Sequence, residues 1–386
     1  MGEIKFMELF CGTGGFSKGF ENCKRLQYKA VLGLDMLPVA IRTFKLNHPE
    51  AACIASDIRK VRRRYIVDNM SISRRDVDLI IGGPPCQGFS SIRPFRSSND
   101  DDPRNNLFEE FASFVNYFRP RAFVMENVVG LATHKNGETM AILEDCFHTI
   151  GYDTDWMILN AAHFGVPQKR ERLVIIGVES GGKIVFPVPT HKYNGATIGY
   201  RNRERMIMPT ERTLFDSEIR LPCAITVSEA IDDLPPVKAG MCVDKYTSSP
   251  KTDYQRDRWK GESELTLHTA TQHTARMLEI IKHAGKNISS IPKHLITSGF
   301  STSYSRLDAD EPSPTITVNF VHPASNRCIH PVQDRALTPR EGARIQSFDD
   351  DFLFAGSRTQ IVKQIGNAVP PLLGKALGES LADLWG

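Results

Sequence analysis

Residues 76–91 read DVDLIIGGPPCQGFSS, and this stretch decides the fold. Val77, Leu79, Ile80 and Ile81 form a short apolar run closed by Gly82 and Gly83, the pattern of a buried strand in a parallel sheet. Pro84 and Pro85 stop the strand, and Cys86 follows at once. In an open α/β sheet, ligands and chemistry sit beyond the carboxyl ends of the strands. A thiol on a proline-stiffened turn at that place is set out like a nucleophile. A lone cysteine is more often a small buried hydrophobe. The sequel Gln87, Gly88, Ser90 and Ser91 argues against the core and for the reactive reading.

Toward the N-terminus, residues 4–10 predict a first strand, and Cys11-Gly12-Thr13-Gly14-Gly15-Phe16 turns from it into a helix. Glycines at 12, 14 and 15 permit a tight turn and close approach of a ligand, and the helix start offers free N–H groups. Residues 31–34 predict a second strand ending at Asp35, where a ribose hydroxyl pair would be held. Ser17 replaces the last glycine of a strict G-x-G-x-x-G. Residues 38–47 read as a helix, and residues 52–55 as a third strand with Asp57 just past its end. Acids at two successive strand ends suggest an adenosine pocket, although a solvated aspartate is the plainer reading of either.

Toward the C-terminus, residues 92–106 make a polar loop of the length that serves as a lid. A helix is expected over 107–118, then a buried strand over 122–125 closing on Glu126 and Asn127. That carboxylate lies beside Cys86 if the two strands are neighbours; otherwise it is an ordinary cap or ion pair. Residues 137–150 read as a helix stopped by Gly151, and 155–159 and 173–178 as further strands. Between them lies QKRER at 168–172, where an extended backbone would point Arg170 and Arg172 to one face.

From residue 183 to 300 the β/α rhythm is lost, prolines scatter, and Arg201, Arg203, Arg205 and Arg212 cluster, which marks a second domain. Residues 267–284 have helical character, with His268, His273 and His283 expected at the surface rather than on a metal. Thr338-Pro339-Arg340-Glu341 is a capping box with proline at the first helical position. Gly366-Asn367-Ala368-Val369-Pro370-Pro371 reads as a turn into a final helix.

A chain of 386 residues with net charge +3 is long enough for two domains, but its charge alone does not prove a nucleic-acid partner. The basic clusters at 59–64 and 74–75, and Arg93, Arg96 and Arg104, read first as solvated surface. Eight cysteines without C-x-x-C or zinc spacing suit a reducing compartment and predict neither disulfides nor a metal site. The chain opens on a strand without a signal-peptide pattern, and no apolar run approaches the roughly 20 residues that span a bilayer. A cytoplasmic protein with no membrane association is expected.

Taken together the motifs resemble the DNA (cytosine-5) methyltransferases of bacterial type. FCGTGGF at 10–16, PPCQGFS at 84–90, ENV at 126–128, QKRER at 168–172, LTPREGARIQSF at 337–348 and GNAVPP at 366–371 stand in the family's order. A variable region separates the fourth from the fifth, and Asp35 stands where the family more often has glutamate. The resemblance implies an α/β fold: a mostly parallel, Rossmann-like S-adenosylmethionine-dependent methyltransferase sheet with a second, smaller target-recognition domain. It implies a catalytic part over 1–183, target recognition over 184–310, and a C-terminal part, 311–386, returning to the catalytic domain. Phe10, Gly12, Gly14, Gly15, Asp35, Asp57, Ile58, Asn367 and Val369 would line the S-adenosylmethionine pocket, with no metal. Cys86 would be the nucleophile, Glu126 would hold N3 and the exocyclic amine of cytosine, and Arg172, supported by Arg170, would reach O2. Gln87, Ser90, Arg93 and Arg96 would close on the backbone of double-stranded DNA.

The compact layout resembles restriction–modification or solitary methylases, so a cognate restriction endonuclease is the other partner implied, without direct contact, and the enzyme is expected to act as a monomer. Other classes explain less. A nicotinamide oxidoreductase shares the glycine turn and Asp35 but gives no reason for PPCQGFS or QKRER. An RNA (tRNA) cytosine-5 methyltransferase has the same catalytic logic, but it carries a CFT-type segment where this chain has GFSTSYSRLDADEPSPTIT at 299–317. A non-enzymatic relative would be expected to lack Cys86 or Glu126.

Overall fold

The computed structural model describes residues 2–85, 107–195, 202–209, 212–214, 217–261, 264–296 and 299–385. Its centre is a seven-stranded sheet built from β1 (Ile4–Leu9), β2 (Tyr28–Asp35), β3 (Ala52–Ala55), β4 (Leu79–Gly82), β5 (Ala122–Val128), β6 (Tyr152–Asn160) and β8 (Glu171–Glu179). A two-residue strand β7 (Gln168–Lys169) precedes β8 and pairs outside this sheet with Ser313–Pro314. The strand order is β3-β2-β1-β4-β5-β8-β6. β3, β2, β1, β4 and β5 pair in parallel, and β8 runs antiparallel to both β5 and β6.

The chain leaves β1 in one direction to build β2 and β3, then crosses back to place β4 on the other side of β1. That reversal is a topological switch point, where the loops after neighbouring strands part and leave a crevice. Leu9 of β1 lies opposite Gly82 of β4, and Gly82 lies opposite Met125 of β5. The glycine turn, the Pro-Pro turn and Glu126 therefore leave the sheet side by side.

Helices α1 (Gly15–Glu21), α2 (Pro38–Asn47), α3 (Arg63–Asn69), α4 (Leu107–Phe118), α5 (Gly130–Thr133) and α6 (Glu138–Thr149) punctuate the sheet. Residues 79–82 of β4 are all buried, so the strand has no solvent face and reads as a continuous apolar run. One face packs Phe111, Phe114, Phe123 and Phe147, and the other packs Phe6, Phe16, Phe20 and Phe44.

Beyond the sheet come α7 (Val227–Ile231), α8 (Asp253–Trp259), α9 (Ala275–Lys282), α10 (Pro339–Ile345), α11 (Arg358–Asn367) and α12 (Pro371–Ser380). A third apolar cluster runs through Val227, Ile231, Tyr254, Leu307, Phe320, Ile345, Phe348 and Ile365, joining residues on both sides of position 310. α12 then returns to α1. A Cβ on Gly19 would lie 2.3 Å from the Pro371 carbonyl oxygen, so only glycine allows this approach, and the Tyr28 hydroxyl donates to the Gly378 carbonyl at 2.8 Å. Among the described residues no helix is long and apolar enough to cross a membrane.

Three expectations need correction. Helical structure within 267–284 is confined to α9, and His268 and His273 are buried, not superficial. His268 contacts the Thr338 hydroxyl at 3.0 Å and the Pro235 carbonyl at 2.8 Å, while His273 accepts the Ala336 N–H at 3.1 Å. Gly366 and Asn367 are not a free turn but the last residues of α11.

Candidate active site

The corner at the ends of β4 and β5 is held by short contacts. Asn127 Nδ2 donates to the Pro84 carbonyl at 3.0 Å, pinning the proline turn to the neighbouring strand. Glu126 Oε1 lies 2.7 Å from Arg172 Nε, and their side chains are 12% and 13% exposed, respectively. Oε2 is turned toward the cysteine turn, since a Cβ on Gly83 would lie 3.1 Å from it. Glycine at 83 thus makes room for the carboxylate. Arg172 is brought there because β8 is antiparallel to β5, with Arg172 opposite Val128. Described backbone on this turn reaches Pro85; Cys86, Gln87, Ser90, Arg93 and Arg96 lie outside the described residues.

Arg170 has different partners from Arg172. It is buried, and its guanidinium donates to the carbonyls of Ile316 and Gly366, both at 3.3 Å. Burial, with the like charge of Arg172 behind it, lowers its pKa well below the arginine range. Its neighbour Gln168 is also buried: its carbonyl accepts the Ile316 N–H at 2.9 Å and its amide donates to Gln346 at 2.7 Å. Gln346 donates in turn to the Ile365 carbonyl at 2.7 Å. The QKRER segment therefore ties the C-terminal helices to the sheet through Gln168 and Arg170, and presents Arg172 to the site.

The second half of the corner is the turn after β1. Phe10 has φ 58° and Gly12 φ +51°, so the chain doubles back immediately beyond the strand. Gly12 donates its N–H to Asp35 Oδ2 at 2.9 Å, and Leu37 donates to Oδ1 at 2.8 Å. Burial raises the Asp35 pKa, against the opposing pull of these N–H groups. The three glycines differ in what they make possible. A Cβ on Gly12 would meet open space, whereas one on Gly14 would meet His48 and Phe44, and one on Gly15 the Val369 carbonyl and Phe348. Only Gly12 opens on the crevice; the other two let protein approach protein. Two of the first N–H groups of α1 are already used, Gly15 by Thr13 and Ser17 by Glu8.

Beyond β3, Asp57 is a half-buried acid held by Arg59 through Nε and Nη2, and that pairing lowers its pKa. The Ile58 side chain points into the core. Asn367 is exposed at the end of α11, and Val369 is half-buried against the glycine turn. Sequence reading missed Met36 and Leu37, which follow Asp35 and are 65% and 52% exposed at the crevice rim. Two exposed apolar side chains beside a half-buried acid suit a flat ring and its sugar. The open cradle at Gly12, the Asp35 carboxylate and this apolar rim fit an adenosyl group. Among the described residues no cluster of histidine, cysteine or carboxylate side chains is set to hold a metal.

Glu8 was also missed, although a carboxylate flanked by Met7 and Leu9 in the strand run IKFMELF is a visible signal. Its buried carboxylate accepts from both the backbone N–H and the hydroxyl of Ser17, fastening α1 to β1. Burial, reinforced by the charges of Asp35 and Glu21, outweighs those bonds and pushes its pKa up to about 8. The folded protein then keeps a proton that the unfolded chain releases above pH 4.5. Stability from this group is complete below that pH and is lost as pH rises to about 8, at roughly 1.4 kcal/mol per pH unit within the window. Urea unfolding at a series of pH values should show this decline in the wild type and its absence in Glu8→Gln. Equal slopes in the two proteins would assign the effect elsewhere.

A mostly parallel sheet with a switch-point crevice, a glycine turn and an acid at the next strand end defines the Rossmann-like methyltransferase fold. The chain belongs to the C-5 cytosine-specific DNA methylase family, whose pattern matches residues 4–383. It is 32% identical to the Type II methyltransferase M.AgeI of Thalassovita gelatinovora, over 98% of this chain and 99% of that one. It is 35% identical to the Type II methyltransferase M1.HphI of Haemophilus parahaemolyticus, over 98% and 86%. Among solved structures it is similar to a protein described as a DNA modification methyltransferase encoded within an E. coli prophage, with TM-score 0.74, 25% identity and 99% of each chain covered. The chain is accordingly a DNA (cytosine-5)-methyltransferase.

Proposed function

We propose that the protein transfers the methyl group of S-adenosylmethionine to carbon 5 of a cytosine flipped out of a specific double-stranded sequence, through a covalent bond to Cys86. The observation that carries this reading is the Glu126–Arg172 pair, set against the Gly83–Pro84 turn that leads into Cys86, with that turn on the strand next to the glycine cradle. Carbon 5 of a stacked cytosine is out of reach and weakly nucleophilic, so the base must leave the duplex at a cost of a few kcal/mol. The Cys86 thiolate adds to carbon 6, and the carboxyl of Glu126 in its protonated form, oriented by Arg172, shares its proton with N3 as that nitrogen becomes basic. Carbon 5 thereby gains enamine character, splitting one difficult step into easier ones. After carbon 5 has taken the methyl group, loss of its proton re-forms the 5–6 double bond, expels the Cys86 thiolate and leaves 5-methylcytosine. Arg172 Nε is engaged with Glu126 and Nη1 donates to the Glu171 carbonyl at 2.7 Å, so Nη2 is the nitrogen assigned to O2 of the base, while Arg170 positions the segment.

S-adenosylmethionine, when bound, supplies an electrophilic methyl group on a sulfonium. Phe10, Gly12, Asp35, Asp57, Ile58, Asn367 and Val369 are the residues proposed to hold it, with Gly14 and Gly15 shaping the turn. Asp35→Ala should weaken binding of S-adenosylmethionine about tenfold or more, as expected for hydrogen bonds to a charged acceptor. Calorimetry showing unchanged affinity would remove Asp35 from the pocket.

Gln87, Ser90, Arg93 and Arg96 are proposed to contact the DNA backbone, and residues 184–310 to read the sequence. The setting proposed is a cytoplasmic restriction–modification or solitary methylase acting as a monomer, with a cognate endonuclease where the system has one. Bisulfite sequencing of DNA from a methylation-free host expressing the chain should reveal one modified sequence. A chimera carrying residues 184–310 from a relative should modify that relative's sequence instead. Methylated RNA with unmodified DNA would replace this reading by the RNA one.

A further inference from the structure

We infer that His48 is a positioning residue for the cofactor, acting through the Gly14 carbonyl and set by Glu21. The inference rests on the reading that the glycine turn holds S-adenosylmethionine. His48 caps the C-terminus of α2, and its side chain is only 1% exposed. The ring packs against Phe44 at a tilt of 34°, with centroids 4.4 Å apart. Nε2 lies 3.2 Å from the Gly14 carbonyl oxygen and Nδ1 lies 3.0 Å from Glu21 Oε2. A carbonyl accepts only, so Nε2 must carry the proton that it shares with Gly14. One further proton then lies between Nδ1 and Glu21, on one partner or the other, and in either place it joins the ring to the last residue of α1. The other Glu21 oxygen accepts the Ala30 N–H on β2 at 3.4 Å. The ring is thus fixed from three elements.

What it fixes is the Gly14–Gly15 peptide. Gly14 has φ +81°, and its carbonyl also accepts the Lys18 N–H at 2.8 Å. Helix and histidine together set that carbonyl, and with it the direction in which the turn leaves toward Gly12. Gly12 is the member of the turn that opens on the crevice and donates to Asp35. A Cβ on Gly14 would stand 2.6 Å from Nε2, so the glycine at 14 and the histidine at 48 require one another. Nothing here touches reacting atoms. The contribution is to a turn already shaped before the cofactor arrives, which lowers the ordering cost of binding.

The test compares wild type, His48→Leu, His48→Gln and Glu21→Ala by calorimetry with S-adenosylmethionine, by thermal melting without ligand, and by steady-state kinetics. His48→Leu should raise Kd and the cofactor KM about tenfold, the loss expected for one buried hydrogen bond, with kcat at saturating cofactor within about twofold. His48→Gln, which keeps a donor, should return to within about threefold of wild type. Glu21→Ala changes the more exposed end of the pair and should raise KM severalfold at unchanged kcat, which keeps the test alive if His48→Leu does not fold. Wild-type affinity in His48→Leu or Glu21→Ala, or equal losses in the leucine and glutamine variants, would overturn the inference while leaving the site intact. A wild type that binds no S-adenosylmethionine would overturn the site itself, and this inference with it.

Discussion

DNA carrying 5-fluorocytosine at the target position should form a denaturation-resistant complex with this protein in the presence of S-adenosylmethionine, and mass spectrometry should place the link on Cys86. If Cys86 adds to carbon 6, its release after methylation requires loss of the substituent at carbon 5 as a cation. A proton leaves in that way and fluorine does not, so the adduct persists. The turn that leads to Cys86 is pinned by Asn127, and Arg172 stands on β8, two strands from β4. A positive neighbour favours the ionised thiol. Other cysteines are set against this role. Burial pushes the Cys11 and Cys328 thiols well up, and raises Cys23 to about 12. Cys86→Ala should trap nothing and transfer no methyl group, yet bind DNA and S-adenosylmethionine within a few-fold of wild type, because neither pocket is built on the thiol. A link at any other cysteine, or an active Cys86→Ala enzyme, would end the covalent reading.

The parts of this site legible in the sequence are those written in local punctuation. The strand before Gly82, the helix at 38–47, the helix at 107–118 and the capping box at Thr338 are each marked by apolar period, glycine, proline or cap, and each forms as expected. Neighbouring of β4 and β5 was only a condition in the sequence, and the register supplies it. What escaped depends on partners far along the chain. His268 and His273 are buried because Thr338 and Ala336, more than sixty residues away, meet them, and no local pattern announces that. α11 carries the capping box Ser357–Gln360, but the glycine and prolines of GNAVPP drew the reading toward a turn. The glycines at 12, 14 and 15 look alike as letters. Which one faces the crevice is decided by where His48, Phe44 and Val369 stand.

Glu126→Gln should lower kcat roughly a hundredfold or more at saturating substrates, while DNA affinity changes only a few-fold. Glutamine fills the same volume and its carbonyl oxygen still accepts from Arg172 Nε, so the corner should keep its shape. What disappears is a group able to share a proton with N3. In the ground state N3 is a weak base and its hydrogen bond is worth little. As the thiolate adds to carbon 6, electron density moves toward N3 and the same contact strengthens. An interaction stronger in the transition state than in the bound state shows in kcat rather than in affinity. The geometry sharpens the expectation, because Oε1 is committed to Arg172 and Oε2 is the oxygen turned toward the Cys86 turn. Arg172→Lys should therefore share much of the defect: a lysine can keep the charge but not hold the carboxylate while also reaching O2. Gly83→Ala, which places a methyl 3.1 Å from Oε2, should lower kcat with cofactor affinity unchanged. Single-turnover rates for the three variants, with binding measured separately, decide the matter. A Glu126→Gln enzyme that turns over at the wild-type rate would place the proton-sharing group elsewhere in the site.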